Sequence, residues 1–274
     1  MIIGGKSFDT KNNTYVMGIL NVTPDSFSDG GKWNTMEQAL RHAEEMIADG
    51  ADILDIGGES TRPGYTLLED EEEIERVVPV IHAVKERFDI PVSVDTYKSR
   101  VAAAALDAGA DLVNDIWGLK YDEKMADVIA QANVPCCLMH NRQTAEYTDY
   151  LPEVLDDLKE CVLLAKQAGI SDDNIILDPG IGFGKTLEHN LILMNHVELL
   201  HSLGYPILLG TSRKSMIGLT LNLPADQREE GTIATTVMGV MKHCAFVRVH
   251  NVRGNRRAVD MTQAILRAGE TDNG

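Results

Sequence analysis

The stretch YVMGILNVTPDSFSDGG, Tyr15–Gly31, contains the pattern that decides the fold. Its first part, Tyr15–Val22, is apolar at nearly every position instead of alternating, which is typical of a strand buried on both faces. The second part, Thr23–Gly31, consists of hydroxyl, carboxylate and glycine residues around the single aromatic Phe27. A buried strand that ends abruptly in polar residues predicts one βα unit of a parallel sheet.

The same pattern recurs along the whole chain. The other predicted strands are Ile53–Gly57, Val92–Asp95, Leu112–Ile116, Val134–Met139, Ile175–Asp178, Ile207–Gly210 and Phe246–His250. Amphipathic helical stretches separate them, and several end at a glycine placed as a C-cap. This repetition predicts the α/β class and a (β/α)8 barrel. An open, doubly wound sheet is the alternative, because strand count alone does not force closure.

The chain is predicted to form one domain over residues 1–274. The segment Met1–Thr14 contains turn signals and predicts a β-hairpin before the first barrel strand. Residues 269–274 are expected to form a disordered tail. Pro79 lies inside a strongly helical stretch and is expected to kink or break that helix.

Composition excludes several function classes. The 274 residues carry a formal net charge of −17, which argues against nonspecific binding to nucleic acid or to an anionic membrane. We find neither a membrane-spanning apolar run nor a signal-peptide pattern, so a cytoplasmic location is expected. The four cysteines form no CxxC pair, and we predict that they are buried and reduced.

Polar residues collect at the carboxyl ends of the predicted strands, where a barrel places its reactive face. Acceptor-rich groups suit an amino-substituted nitrogen heterocycle; they are Asp95, Asn114, Asp115 and Asp178. Cationic groups suit a phosphate or diphosphate; they are Arg62, Arg213, Lys214, Arg248, His250 and Arg253. At any single junction these residues could instead be helix caps or turn formers. Their grouping on one face favours a shared pocket.

Two motifs do not carry the chemistry that they suggest. PGIGFGKT resembles a phosphate loop, but the P-loop pattern requires glycine at position 179, where the chain has Pro179. Zinc-ligand spacings such as HExxH are absent from the sequence, so a dedicated transition-metal site is not expected.

Five motifs in order, MGILNVTPDSFSDGG, DIGGESTRPG, DPGIGFGK, GTSRKS and RVHN, resemble the dihydropteroate synthase family of folate biosynthesis. The resemblance extends from Ile3 to about Ala268. It implies a transferase that joins p-aminobenzoate to hydroxymethyl-dihydropterin diphosphate and releases diphosphate. It also implies Mg²⁺, a homodimer, and competition by sulfonamides at the p-aminobenzoate site.

The resemblance assigns residues to three subsites. The pterin would lie among Asp95, Asn114, Ile116, Met139, Asp178, Phe183, Gly210 and Lys214. The diphosphate would be bound by Asn21, Arg62, Arg248 and His250, with Asn21 also helping to hold Mg²⁺. The p-aminobenzoate would contact Phe27, Thr61, Pro63, Lys214 and Ser215. The catalytic groups would be Arg62, Lys214, Arg248 and His250.

Two other functions are compatible with part of the pattern. A pterin-dependent methyltransferase of the same superfamily would keep the acceptor groups but would not need the diphosphate cations. A catalytically inactive pterin-binding protein would bind pterin without turnover. His140, Asn251 and the loop after the fifth strand receive no role, and the loop Thr23–Gly31 is expected to close over both substrates as a mobile lid.

Overall fold

The computed structural model describes residues 1–22, 32–59 and 68–269, with only the backbone described for residues 32–35. The chain begins with a short antiparallel hairpin of β1 (Ile2–Ile3) and β2 (Lys6–Ser7), in which Ile2 pairs with Ser7. The predicted N-terminal hairpin is thereby confirmed.

Eight parallel strands form the main sheet of the described residues. They are β3 (Tyr15–Asn21), β4 (Ile53–Gly57), β5 (Val92–Asp95), β6 (Leu112–Asp115), β7 (Cys136–Met139), β8 (Ile175–Asp178), β9 (Leu208–Gly210) and β10 (Phe246–Val249). Each corresponds to a predicted strand within about two residues. Their apolar residues are buried on both faces, as the sequence pattern indicated.

The sheet closes on itself. Successive strands pair from β3 through β8, and β10 pairs with both β3 and β9. A parallel bridge between Leu177 and Ile207 joins β8 to β9, and the Leu177 amide donates to the carbonyl of Pro206 at 2.9 Å. The predicted barrel is therefore confirmed, and the open sheet is excluded.

Helices surround the barrel on its outer side. They are α1 (Lys32–Ala48), α2 (Asp70–Arg87), α3 (Ser99–Asp107), α4 (Met125–Ala132), α5 (Tyr150–Gln167), α6 (Leu187–Asn195), α7 (Ser215–Leu221), α8 (Glu229–Met241) and α9 (Val252–Arg267). Among the described residues, none of these helices is long and apolar enough to cross a membrane.

Three details of the helices differ from the expectations. Helix α2 does not break at Pro79, because its apolar face, including Val77 and Ile81, is fully buried against the barrel. The sequence pattern predicts one helix over Leu187–Ser202, but the structure has α6 followed by a separate 3-10 segment, Val197–Leu203. Helix α7 was not predicted, since its seven residues are too few to show clear periodicity.

The N-terminal hairpin covers one end of the barrel. Ile3 and Phe8 are buried there together with inward-facing residues of the strands, such as Met17, Ile53 and Phe246. The Phe8 ring meets the Tyr15 ring edge-on, with centroids 4.8 Å apart. Because this end is filled with apolar side chains, a ligand can enter the barrel only from the carboxyl ends of the strands.

All four cysteines are buried and free, as predicted. Cys136 and Cys137 lie in β7, Cys161 lies in α5, and Cys244 precedes β10. Burial raises the pKa of the Cys161 and Cys244 thiols to about 12, so these groups are uncharged at neutral pH. The cysteines fill space in the core.

Candidate active site

Acidic and amide side chains from neighbouring strands meet at the open end of the barrel. Asp95 of β5 is in register with Asn114 of β6, and Met139 of β7 is in register with Asp178 of β8. The side chains of Asp95, Asn114 and Asp178 are each almost completely buried. The strand register therefore brings the predicted acceptor groups to one mouth.

Arg248 of β10 lies among these acceptors. Its Nε donates to Asp55 Oδ2 at 2.5 Å and its Nη2 donates to Asp95 Oδ2 at 2.5 Å. Asn114 Nδ2 also faces Asp55 Oδ2, at 3.3 Å. The guanidinium therefore links two carboxylates inside the barrel, and its charge is balanced within the protein.

Asp55 was missed by the sequence reasoning. It lies in the middle of β4, within the apolar run ILDIG, and its side chain is completely buried. The signal was available, because a carboxylate inside a buried strand is expensive unless it has an ionic or hydrogen-bonding partner. The partner, Arg248, is 193 residues away in sequence and only the closed barrel brings it near.

Some buried oxygen atoms at the barrel mouth have no hydrogen-bond partner in the part of the chain that the structure describes. Among the described residues, Asp55 Oδ1, Asp95 Oδ1 and Ser93 Oγ make no hydrogen bond within the protein. Buried polar atoms are normally paired, and exceptions concentrate where a ligand or water completes them. These atoms therefore fit a ligand that carries N–H donors.

Burial controls the ionisation of the site. It raises the pKa of Asp95 to about 7, although the adjacent Arg248 opposes the shift. Burial likewise raises the pKa of Asp178, while Lys214 and the Gly180 amide oppose that shift. In the opposite direction, burial lowers the pKa of Lys214 to about 8. Two groups of the site thus titrate close to neutral pH.

The Asp178 carboxylate stabilises a turn with one oxygen and faces the pocket with the other. Its Oδ1 accepts the Gly180 amide at 2.6 Å, which is the cap or turn role that the sequence left open. A methyl group at Gly210 would lie 3.6 Å from Oδ2. The glycine on β9 therefore leaves space beside this carboxylate oxygen, where a flat ligand could approach.

Lys214 precedes α7 and reaches across the mouth. Its Nζ donates to the carbonyl of Ile181 and lies 4.5 Å from the centroid of the Phe183 ring. Phe183 in turn packs against a small buried cluster that contains Ile116 and Met139. Ile116, Met139 and Phe183 therefore form an apolar wall, and Lys214 lies against its Phe183 ring.

Two of the residues expected at the diphosphate, Asn21 and His250, lie at the carboxyl ends of the neighbouring strands β3 and β10. Ser212 Oγ lies 2.9 Å from His250 Nδ1 and accepts the His250 amide at 3.2 Å. Asn21 ends β3, in register with Gly57. Ser215 begins α7 and is exposed beside Lys214. The predicted residues Phe27, Thr61, Arg62 and Pro63, and the predicted lid, lie outside the described residues.

Several polar residues near the strand ends bond elsewhere. Asp115 accepts the amides of Trp117 at 2.8 Å and Leu119 at 2.7 Å, so the expectation of a ligand-facing group was wrong and its role is to build a turn. Arg253 pairs with Asp49 at 2.7 Å on the outside of the barrel. Asn251 caps α9 through the Gly254 amide.

The sequence of this chain is similar to those of known proteins. Residues 17–250 match the family model described as pterin binding enzyme. A curated dihydropteroate synthase of Clostridium beijerinckii is 63% identical over 97% of this chain and 100% of its own length. The chain belongs to the dihydropteroate synthase family of pterin-binding enzymes.

Solved structures of the family have the same fold. A dihydropteroate synthase of Clostridium difficile, solved in the presence of pteroic acid, superposes with a TM-score of 0.93 at 49% identity, covering 95% of this chain and 100% of that one. A Yersinia pestis enzyme in complex with a sulfonamide drug gives 0.90 at 41% identity, covering 98% and 99%. The chain is therefore a transferase of this family, and the methyltransferase alternative is not supported.

The pKa values predict how pterin binding depends on pH. We expect a pterin analogue to bind most tightly between about pH 7 and 8, where Asp95 is ionised and Lys214 is still protonated. Well below pH 7, affinity should fall about tenfold per pH unit, because binding then requires loss of a proton. Calorimetric titration checks this. If Asp95→Asn leaves the acidic limb unchanged, Asp95 does not cause it.

Proposed function

We propose that the site described above condenses hydroxymethyl-dihydropterin diphosphate with p-aminobenzoate by dissociative loss of diphosphate. The observation that carries this proposal is the grouping of Asp95, Asn114, Asp178 and Lys214 at one mouth of the barrel. The carboxylates accept the N–H groups of the pterin, and Lys214 donates to its oxo side.

The acceptor groups also support the chemistry of cleavage. When the bond between the pterin methylene carbon and the diphosphate oxygen breaks, both bonding electrons leave with diphosphate and the pterin becomes a delocalised cation. Buried carboxylates at Asp95 and Asp178 stabilise that cation, because charges interact strongly where water is excluded. The aniline nitrogen then attacks the methylene and releases its proton. An aniline is already nucleophilic, so the reaction needs no strong base.

The departing diphosphate requires cationic and donor groups at the other end of the site. We assign this task to His250, which Ser212 holds in position, and, from the family resemblance alone, to Arg62. Arg248 was assigned to the same task, but in this structure its guanidinium is bonded to Asp55 and Asp95. We therefore propose that Arg248 contributes to diphosphate departure only when substrate binding weakens one of these two bonds.

Asn21 fits a magnesium ion that arrives with the substrate. The described residues contain no cluster of three or more His, Cys, Asp or Glu side chains that could form a metal site of their own. Magnesium commonly keeps several waters and is bound through substrate phosphates with few protein ligands, so one amide oxygen is a suitable partner. Bound there, Mg²⁺ would neutralise charge on the leaving diphosphate.

Isotope exchange tests the dissociative step. With ¹⁸O placed in the oxygen that bridges carbon and phosphorus, we expect the enzyme to move the label into non-bridging positions when p-aminobenzoate is absent. The cation and diphosphate recombine after the phosphoryl group rotates. The exchange should require Mg²⁺ and slow down in Asn21→Ala. If the enzyme turns over normally with p-aminobenzoate but leaves the label in the bridging position when p-aminobenzoate is absent, direct displacement is indicated instead.

The second substrate subsite is proposed beside Lys214 and Ser215, together with Phe27, Thr61 and Pro63. Ser215 is exposed and directly follows Lys214 in sequence, so it is accessible to a second ligand. The sulfonamide bound to the Yersinia pestis relative supports competition by such drugs here. Sulfonamide inhibition should be relieved by added p-aminobenzoate.

Self-association is proposed at the outer face of three neighbouring helices. Leu219 of α7, Met241 of α8 and Met261 of α9 are 65%, 57% and 61% exposed, and α8 packs against both of the other helices. Exposed apolar groups of this kind favour an interface between protein chains. We propose a homodimer, which sedimentation equilibrium would detect, and a cytoplasmic location, which suits the four free cysteines.

A further inference from the structure

The loop between β8 and α6, residues 179–186, forms part of the apolar wall through Phe183. Lys185 holds this loop from behind. Its Nζ donates to the carbonyl oxygens of Gly180 and Phe183, both at 2.9 Å, and lies 2.7 Å from His140 Nδ1. The Lys185 Nζ thus bonds both ends of the four-residue segment Gly180–Phe183 and ties it to the neighbouring strand end.

The β8–α6 loop lies directly against the chain that follows β7. Gly180 has φ +69°, and a methyl group on it would lie 1.9 Å from the carbonyl oxygen of His140. The corresponding distance from Gly184, at φ +53°, to the carbonyl oxygen of Arg142 is 2.3 Å. Both positions therefore require glycine, and the two loops form a backbone-to-backbone contact that side chains cannot enter.

The His140 ring accepts a hydrogen bond from Lys185 through Nδ1. The Asp157 carboxylate can only accept, so the hydrogen of the neutral His140 ring lies on Nε2, and Nδ1 is left to accept from Lys185. Nε2 lies 2.9 Å from Asp157 Oδ2, which also accepts from Arg142 Nε at 2.6 Å. Burial lowers the pKa of His140 to about 4, which agrees with a neutral ring. The carboxylate thereby fixes the tautomer that Lys185 needs.

We propose that Lys185 is a positioning residue for the pterin pocket, acting with His140 and Asp157 to hold the β8–α6 loop in its binding shape. Through the loop backbone, Lys185 sets the position of the Phe183 ring. It also sets the Ile181 carbonyl, which accepts from Lys214. This inference rests on the proposed pterin subsite, and it gives His140 and the β7–α5 loop a role.

The proposal predicts a selective effect on one substrate. In Lys185→Met we expect KM for the pterin diphosphate to rise roughly tenfold, the scale of one lost charge-assisted hydrogen bond. KM for p-aminobenzoate should change little, and the melting temperature should fall by only about 2–4 °C per kcal/mol of lost bonding. Amide hydrogen exchange in residues 180–184 should become faster, while exchange in α5 stays the same. Lys159→Met, an exposed lysine on α5, is the matched control.

A pair of His140 variants separates positioning from general stability. His140→Asn keeps an acceptor close to the Nδ1 position, whereas His140→Leu removes it. We expect the leucine variant to resemble Lys185→Met and the asparagine variant to remain closer to wild type. Equal effects of both variants, or an unchanged pterin KM in Lys185→Met, would overturn the proposal.

Failure of this proposal can be distinguished from failure of the proposed pterin subsite. Asp178→Asn is measured in the same assay. If Asp178→Asn raises the pterin KM and Lys185→Met does not, the subsite stands and the role of Lys185 is refuted. If neither variant affects the pterin KM, the subsite itself has been placed wrongly, and the role inferred for Lys185 is refuted with it.

Discussion

Asp178→Asn is expected to weaken pterin binding by roughly 1.5–3 kcal/mol, or about 10- to 150-fold, the scale of a hydrogen bond to a charged group. The carboxylate is almost completely buried, and Gly210 leaves room beside its Oδ2. A neutral amide can accept only one of two parallel N–H donors and places an N–H of its own against the other. Calorimetry with a pterin analogue measures the change.

An exposed carboxylate shortly before the same strand provides the control. Asp173 lies in the 3-10 turn that precedes β8, five residues from Asp178, and is exposed. Asp173→Asn should therefore leave pterin affinity at the wild-type value. Unchanged affinity in Asp178→Asn would show that this carboxylate does not bind the heterocycle.

The second large effect is expected at Arg248. Arg248→Met removes the guanidinium that bonds both Asp55 and Asp95, leaving two buried carboxylates with no cation between them. Removing one partner of a buried ion pair costs about 3–5 kcal/mol of folding free energy. The pKa of Asp95 should also rise above its value of about 7, because Arg248 is the main group that counteracts the rise in pKa caused by burial. Chemical unfolding and a pH titration of pterin binding measure the two effects.

The folded part of the Arg248→Met protein can be used to measure the effect of this substitution on turnover. Turnover of Arg248→Met should fall roughly 100- to 1,000-fold, as for other lost stabilisers of developing charge, while p-aminobenzoate affinity changes much less. Arg257→Met, an exposed arginine on α9, is the control and should behave as wild type. A larger loss of p-aminobenzoate affinity than of turnover would overturn the proposed role of Arg248 in diphosphate departure.

Much of the fold could be predicted because each barrel strand is a short apolar run with a polar end. The boundaries of β4, β5 and β8 agree with the predicted ones, since each run is bounded by polar, glycine or proline residues. Helix α7 was missed, because seven residues are too few to reveal a helical period. Periodicity likewise does not indicate whether a helix runs through Pro79, which depends on the packing of its buried face.

The candidate site could be predicted only as far as its polar composition. Asp95, Asn114 and Asp178 do meet at one mouth, because parallel strands end at one edge. The bond between Arg248 and Asp55 could not be predicted, since it joins residues on β10 and β4 that only the barrel brings together. Asp115, like Asp95, was predicted to face a ligand, but its carboxylate instead stabilises the turn after β6.

Simultaneous measurement of diphosphate and dihydropteroate tests the central claim most directly. Purified wild-type protein would be given hydroxymethyl-dihydropterin diphosphate, p-aminobenzoate and Mg²⁺. We predict that the two products form in equal amounts and that Asp178→Asn, folded as judged by circular dichroism, forms both far more slowly at the same substrate concentration. A folded wild-type protein that releases no diphosphate under these conditions would contradict the account.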